Sequence, residues 1–139
     1  FVLSDELRKA ESTIGQTKVQ YYYLQDENPM ERVDFLKALI SFYSSQFGEY
    51  PYPILTVVQT GLCMDGAEYP TMSMLSSSLD GAELLRALAH ETAHQWWYSA
   101  VGSDQIENAW QDEGMGAYSA LLRADHWREV GIIYFASFN

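Results

Sequence analysis

Residues 90–94 read His-Glu-Thr-Ala-His, and no other stretch restricts the fold of this chain so tightly. On an α-helix successive residues are about 100° apart, so positions four apart lie about 40° from each other, one turn above the other. His90 and His94 then offer two imidazoles at a spacing that one tetrahedral zinc ion can share. Glu91 falls to one side of that point, placed to act as a base on a water there without being a ligand itself. Two histidines on a helix can equally be hydrogen-bonded core or surface groups. The metal reading therefore needs a further ligand from elsewhere.

The surrounding sequence supplies a frame for one. Asp80 is placed to cap a helix, Glu83 to complete a capping box, and Leu84, Leu85 and Leu88 to form its apolar face. This helix is expected to run through His94 to Trp96, Trp97 and Tyr98 and to stop by Gly102. After a polar loop, a second helix is expected from Ala109 or Trp110, carrying Glu113, Tyr118, Leu121 and Leu122. Eighteen residues (95–112) separate His94 from Glu113. That is enough to end one helix, loop back and present a carboxylate from the next. A zinc site of the two-His, one-Glu type takes such a carboxylate as third protein ligand and leaves the fourth position open. The simpler reading of Glu113 is a first-turn acid favoured by the helix dipole. Gly114 and Gly116 are unusual beside it, because each costs about 1 kcal/mol relative to alanine in a helix interior. Close packing against a site accounts for them. A hydrogen-bond partner for the outer nitrogen of a ligating histidine is also required, with Asp104, Asn108 and Asp112 as candidates.

The rest of the chain predicts a mixed architecture. Thr17–Tyr23 is rich in β-branched and aromatic residues and reads as a strand. Asn28, Pro29 and Glu31 read as N-cap, first position and capping acid of a helix. Val33, Leu36, Leu39, Ile40, Tyr43 and Phe47 recur on one face of it, and Gly48 ends it. Tyr50-Pro51-Tyr52-Pro53 reads as a rigid turn, Ile54–Gln59 as a central strand and Thr71–Leu75 as a further strand. Strands first and zinc-site helices afterwards predict an α+β domain. Trp96, Trp97 and Trp110 read as core and pocket wall, Tyr134 as core and His126 as a surface residue.

At 139 residues, 47% of them hydrophobic and 19% charged, the chain has the composition of one globular domain. Its net charge of −11 excludes nucleic acid as a partner, since phosphates call for basic surface. A single cysteine, Cys63, excludes an internal disulfide. Apolar stretches such as Ile132–Phe138 fall well short of the roughly 20 residues that span a bilayer. The chain opens at Phe1 without an initiator methionine and reads as a piece of something longer, so compartment and membrane attachment stay open.

Taken together, the pentapeptide, its Gln95-Trp96-Trp97 extension and Glu113 within Trp110-Gln111-Asp112-Glu113-Gly114 closely resemble the aminopeptidase N family of gluzincin zinc metallopeptidases. Asp65-Gly66-Ala67-Glu68-Tyr69-Pro70 is similar to that family's G-x-M-E-N exopeptidase block, with Ala67 at its methionine and Tyr69 at its asparagine. From the residues alone, Glu68 reads as a solvated loop carboxylate. The resemblance implies instead that Glu68 binds the free α-amino group of a peptide substrate, with the backbone at Gly66 and Ala67 lining the peptide. It also implies one zinc per chain on His90, His94 and Glu113, Glu91 as the base that activates the zinc-bound water, and removal of N-terminal residues as the reaction.

In fold, the resemblance implies the N-terminal lobe of a thermolysin-like zincin catalytic domain, with 1–139 a single partial domain whose partners are the remaining domains of the enzyme. The family's transition-state tyrosine lies several dozen residues beyond the third ligand, so the isolated chain is expected to be inactive. Two other readings fit the same residues. One is a thermolysin-type endopeptidase, which has no need of Glu68 at an amine. The other is a non-catalytic peptide-binding or scaffold domain that keeps the zincin fold.

Overall fold

The computed structural model describes residues 4–129, with side chains as far as Arg123. Strands β1 (Arg8–Ile14) and β2 (Thr17–Tyr23) form a hairpin turning at Gly15, whose φ of 57° suits a residue without a Cβ. Helix α1 (Pro29–Phe47) follows, then β3 (Ile54–Thr60), β4 (Gly66–Tyr69) and β5 (Met72–Ser76). The five strands make one mixed sheet in the order β1-β2-β3-β5-β4. The inner three are parallel and the two edges antiparallel to their neighbours. A parallel neighbour cannot be reached by a tight turn, so β2 and β3 require a crossover, which α1 provides.

Helix α2 (Gly81–Ala93), a π-helical turn (Trp110–Gly114) and α3 (Met115–Glu129) complete the described chain. Alternate residues of the inner strands, Val19 and Tyr21, Leu55 and Val57, and Leu75, are buried in one cluster. Into it pack Val33, Leu36, Leu39, Ile40 and Tyr43 of α1 and Leu84 and Leu88 of α2. Two polar contacts seat α2 at a fixed depth. Tyr43 Oη donates to the Ala89 carbonyl at 3.0 Å, and the buried Ser73 hydroxyl of β5 to the Glu91 carbonyl at 3.3 Å.

Several expectations need correction. Neither Asn28 nor Asp80 caps its helix with its side chain. The start of α1 is held instead by Asp26, whose carboxylate accepts the Asn28 N–H at 2.8 Å, and by Pro29. Helix α2 stops at Ala93, well before Tyr98, because the next side chains are bonded elsewhere. Gln95 hydrogen-bonds Thr71 N and the Tyr69 carbonyl, and Trp96 Nε1 donates to the Gly48 carbonyl at 2.8 Å. The backbone turns at Tyr98, with φ 105°, and not at Gly102. Trp110 is 66% exposed and walls no core. The edge strands β1 and β4 were not anticipated. Ile132–Phe138 and Tyr134 lie outside the described residues, as does the side chain of His126.

Candidate metal centre

The last turn of α2 and the π-helical turn face each other, and the site lies between them. His90 is half-buried and His94 fully buried. Their rings meet edge to face with centroids 4.6 Å apart. The two Nε2 atoms are 3.1 Å apart, and Glu113 Oε2 lies 3.2 Å from that of His90 and 3.8 Å from that of His94. A tetrahedral zinc with bonds of about 2.0–2.1 Å sets its ligand atoms about 3.4 Å from one another, so this triangle of donors has the size the ion needs.

The choice of donor atom is also set by the surroundings. Asp112, 1% exposed, receives the Nδ1 hydrogen of His94 at 2.5 Å. That bond fixes the tautomer and leaves the Nε2 lone pair free. Of the three candidates for this partner, Asp112 is the one so placed. Asp104 instead closes the preceding loop: its carboxylate accepts the N–H of Ile106 and of Glu107, both at 3.1 Å. Asn108 sits in the same turn, its N–H bonded to the Asp104 carbonyl at 2.8 Å. Burial lowers the pKa of His90, and the neighbouring His94 adds to this against the pull of Glu113. Its neutral form, the one able to coordinate, is therefore favoured.

Glycine permits the close approach. A Cβ on Gly116 would stand 3.1 Å from His94 Cε1 and 3.2 Å from His90 Cε1. Among the described residues a Cβ on Gly114 would meet nothing nearer than Trp110 Cβ at 3.9 Å, so the packing reason holds for one glycine of the two. On the opposite wall, a Cβ on Gly66 would lie 2.5 Å from Cδ of Glu91. The glycine opening β4 is thus what makes room for the Glu91 carboxylate.

Glu91 is only 6% exposed, and its Oε2 has no hydrogen-bond partner among the described residues. Burial, and after it the charges of Glu68, Glu113, Asp112 and Asp65, push its carboxyl up to about 8. Glu68, on β4, turns toward the same cleft. One oxygen each of Glu68, Asp112 and Glu113 lie within 4.8 Å of one another, and Glu68 Oε1 accepts a hydrogen bond from Gln105 at 2.9 Å. Gly66 and Ala67 precede it on the half-buried edge strand. So many carboxylates about two imidazoles form a donor set suited to a divalent cation. Gln105 was missed in the sequence, where an amide in a polar loop carries no signal.

No protein-family model matches the sequence. Among curated proteins, endoplasmic reticulum aminopeptidase 2 of Bos taurus is 31% identical over 97 residues, 60% of this chain and 10% of that protein. Glutamyl aminopeptidase of Sus scrofa is 26% identical over 129 residues, 91% of this chain and 13% of the relative. Aminopeptidase N of Homo sapiens is 28% identical over 102 residues, 63% and 10% respectively. The chain therefore spans about a tenth of the length of the curated relatives it matches.

Among solved structures, a mutant M1 zinc metallopeptidase of Deinococcus radiodurans bound to a Tyr-Ser-Ala substrate superposes with a TM-score of 0.66 at 22% identity. The match covers 87% of this chain and 28% of the other. Another structure of the Deinococcus radiodurans M1 zinc metallopeptidase gives 0.64 at 24%, over 88% and 29%. At these identities the structural matches carry the fold. The chain is thus similar in sequence to aminopeptidases, aminopeptidase N among them, and in fold to M1 zinc metallopeptidases, over a small part of the length of each.

Proposed function

We propose that this chain carries the catalytic zinc site of an aminopeptidase, with one zinc held by His90, His94 and Glu113, in the first lobe of a thermolysin-like catalytic domain. The observation that supports it best is the triangle of His90 Nε2, His94 Nε2 and Glu113 Oε2, with edges of 3.1, 3.2 and 3.8 Å. Zinc bound there supplies Lewis acidity for a peptide carbonyl and lowers the pKa of water toward about 7.

The protein's own groups then divide the work. Glu91, whose Oε2 meets no partner among the described residues, takes a proton from the attacking water and passes it to the leaving amine nitrogen. Asp112 keeps the Nδ1 hydrogen of His94 in place throughout. Glu68 accepts the α-ammonium group of the substrate, while the backbone at Gly66 and Ala67 lines the peptide. The side of the cleft on which Glu68 lies favours the exopeptidase reading, because an endopeptidase has no task for a carboxylate there.

Base and ligand separate on mutation. In the full-length protein, Glu91→Gln should lower peptide hydrolysis by about 10²–10⁴-fold and leave zinc content near one per chain. His94→Ala should lose both activity and metal. If Glu91→Gln shed zinc as readily as His94→Ala, Glu91 would be a ligand and its role as base would be wrong.

A further inference from the structure

One side chain in the loop between α2 and the π-helical turn is more tightly bound than its exposure suggests. Gln105 Nε2 donates to Glu68 Oε1 at 2.9 Å and also to Asp112 Oδ2. A carboxamide nitrogen has two donor hydrogens and no acceptor, so both are engaged. The loop is itself held by the N–H groups of Ile106 and Glu107, on the far side of Gln105, donating to the Asp104 carboxylate.

The two recipients differ in how much they need this bond. Asp112 is buried and already tied through Oδ1 to His94. Glu68 stands half-buried on a four-residue edge strand, with a long side chain that gains rotamer freedom if released. Carboxylates as close as Glu68, Asp112 and Glu113 also repel, which drives the least constrained of them outward. An amide between two of them satisfies both without adding charge. A lysine or arginine at 105 would instead neutralise Glu68 and compete with the substrate's ammonium group.

We propose that Gln105 is a positioning residue, which holds Glu68 aimed at the substrate's α-ammonium group and ties it to the Asp112–His94 pair. The inference rests on the roles given above to Glu68 and to the zinc site. It predicts an asymmetry: loss of Gln105 weakens recognition of the amine and spares the metal.

The test uses the full-length, zinc-loaded protein in a Glu91→Gln background, so that binding is read without turnover. Affinity for a free-amine tripeptide and for its N-acetyl form is measured by calorimetry, and zinc affinity by chelator competition. Gln105→Leu should weaken the free-amine peptide about tenfold, as expected for a lost hydrogen bond to a charged group, and leave the acetylated peptide unchanged. Zinc affinity should stay within about threefold of the parent, whereas changes at a direct histidine partner cost about 10–100-fold. Gln105→Glu, close in shape but without donors, should be worse than Gln105→Leu.

With Glu91 intact, the loss should appear in KM and not in kcat. Glu68→Ala should match Gln105→Leu, and the double variant should be no weaker than Glu68→Ala alone. If Glu68→Ala weakens the amine peptide and Gln105→Leu does not, the positioning role is wrong and the role of Glu68 stands. If neither does, the amine reading of Glu68 falls and the proposal with it. Equal losses for both peptides, or a loss of zinc in Gln105→Leu, would make Gln105 a support of the loop as a whole and overturn the proposal.

Discussion

Gly66 makes room for the Glu91 carboxylate: a methyl group at 66 would lie only 2.8 and 2.5 Å from Cγ and Cδ of Glu91. Gly66→Ala in the full-length protein is therefore expected to displace the proposed base while leaving the three donor atoms in place. Hydrolysis should fall by at least about 10²-fold, the range of a lost general base, with zinc content unchanged on metal analysis. A variant that keeps full activity would show that Glu91 tolerates a second position. Little of this was legible in the sequence. Gly66 could be placed beside a peptide only by resemblance, and its contact with Glu91 joins two segments far apart in the chain. Gly114 and Gly116, equally odd in composition, both read as close packing beside a site, and only the second touches an imidazole.

Among the elements, α2 carries His90 and ends at His94, its C-cap, and that end is fixed by Gln95. This buried side chain accepts from Thr71 N at 2.8 Å and Tyr50 Oη at 3.2 Å, and donates to the Tyr69 carbonyl at 2.9 Å. One amide thus fastens this helix to the β4–β5 turn, where Thr71 adopts a φ of 68°. Gln95→Leu would leave a backbone donor and acceptor unpaired and should cost about 2–4 kcal/mol in urea unfolding. A loss below about 0.5 kcal/mol, the range of an ordinary surface change, would mean that the turn holds itself. Helix α1 and strands β2 and β3 could be read from periodicity, because each buries a regular set of side chains. The end of α2 could not, since Trp96 and Trp97 continue its apolar pattern while tertiary hydrogen bonds break its backbone. The edge strands β1 and β4 are held by their neighbours' backbones, which leave little trace in side-chain pattern.

For the molecule as a whole, the buried carboxyl of Glu91 links folding to pH. Its pKa rises from 4.5 to about 8 on folding, through burial first and the surrounding acids second. Between those values the folded chain holds a proton that the unfolded chain releases, so metal-free protein loses stability as pH rises through that window. In chelator-treated protein, Glu91→Gln should raise the melting temperature of this domain more at pH 8 than at pH 5. An equal effect at both would place the ionised carboxylate in solvent. The helix bearing His90 and His94 was the most legible part of the whole, and Glu113 could be picked out by its distance along the chain. The geometry that brings it in was not legible, since nothing in Trp110–Gly114 announces a π-helical turn. That turn puts consecutive carboxylates on the two nitrogens of one imidazole, Asp112 toward Nδ1 and Glu113 toward Nε2. A π turn amounts to an α-helix with one residue inserted. Deleting a single residue between 110 and 112 would restore the ordinary count and swing Glu113 about 100° away from the histidines. Insertions and deletions at this spot are therefore far more damaging than most substitutions, although the turn lies on the surface where changes of length are usually tolerated.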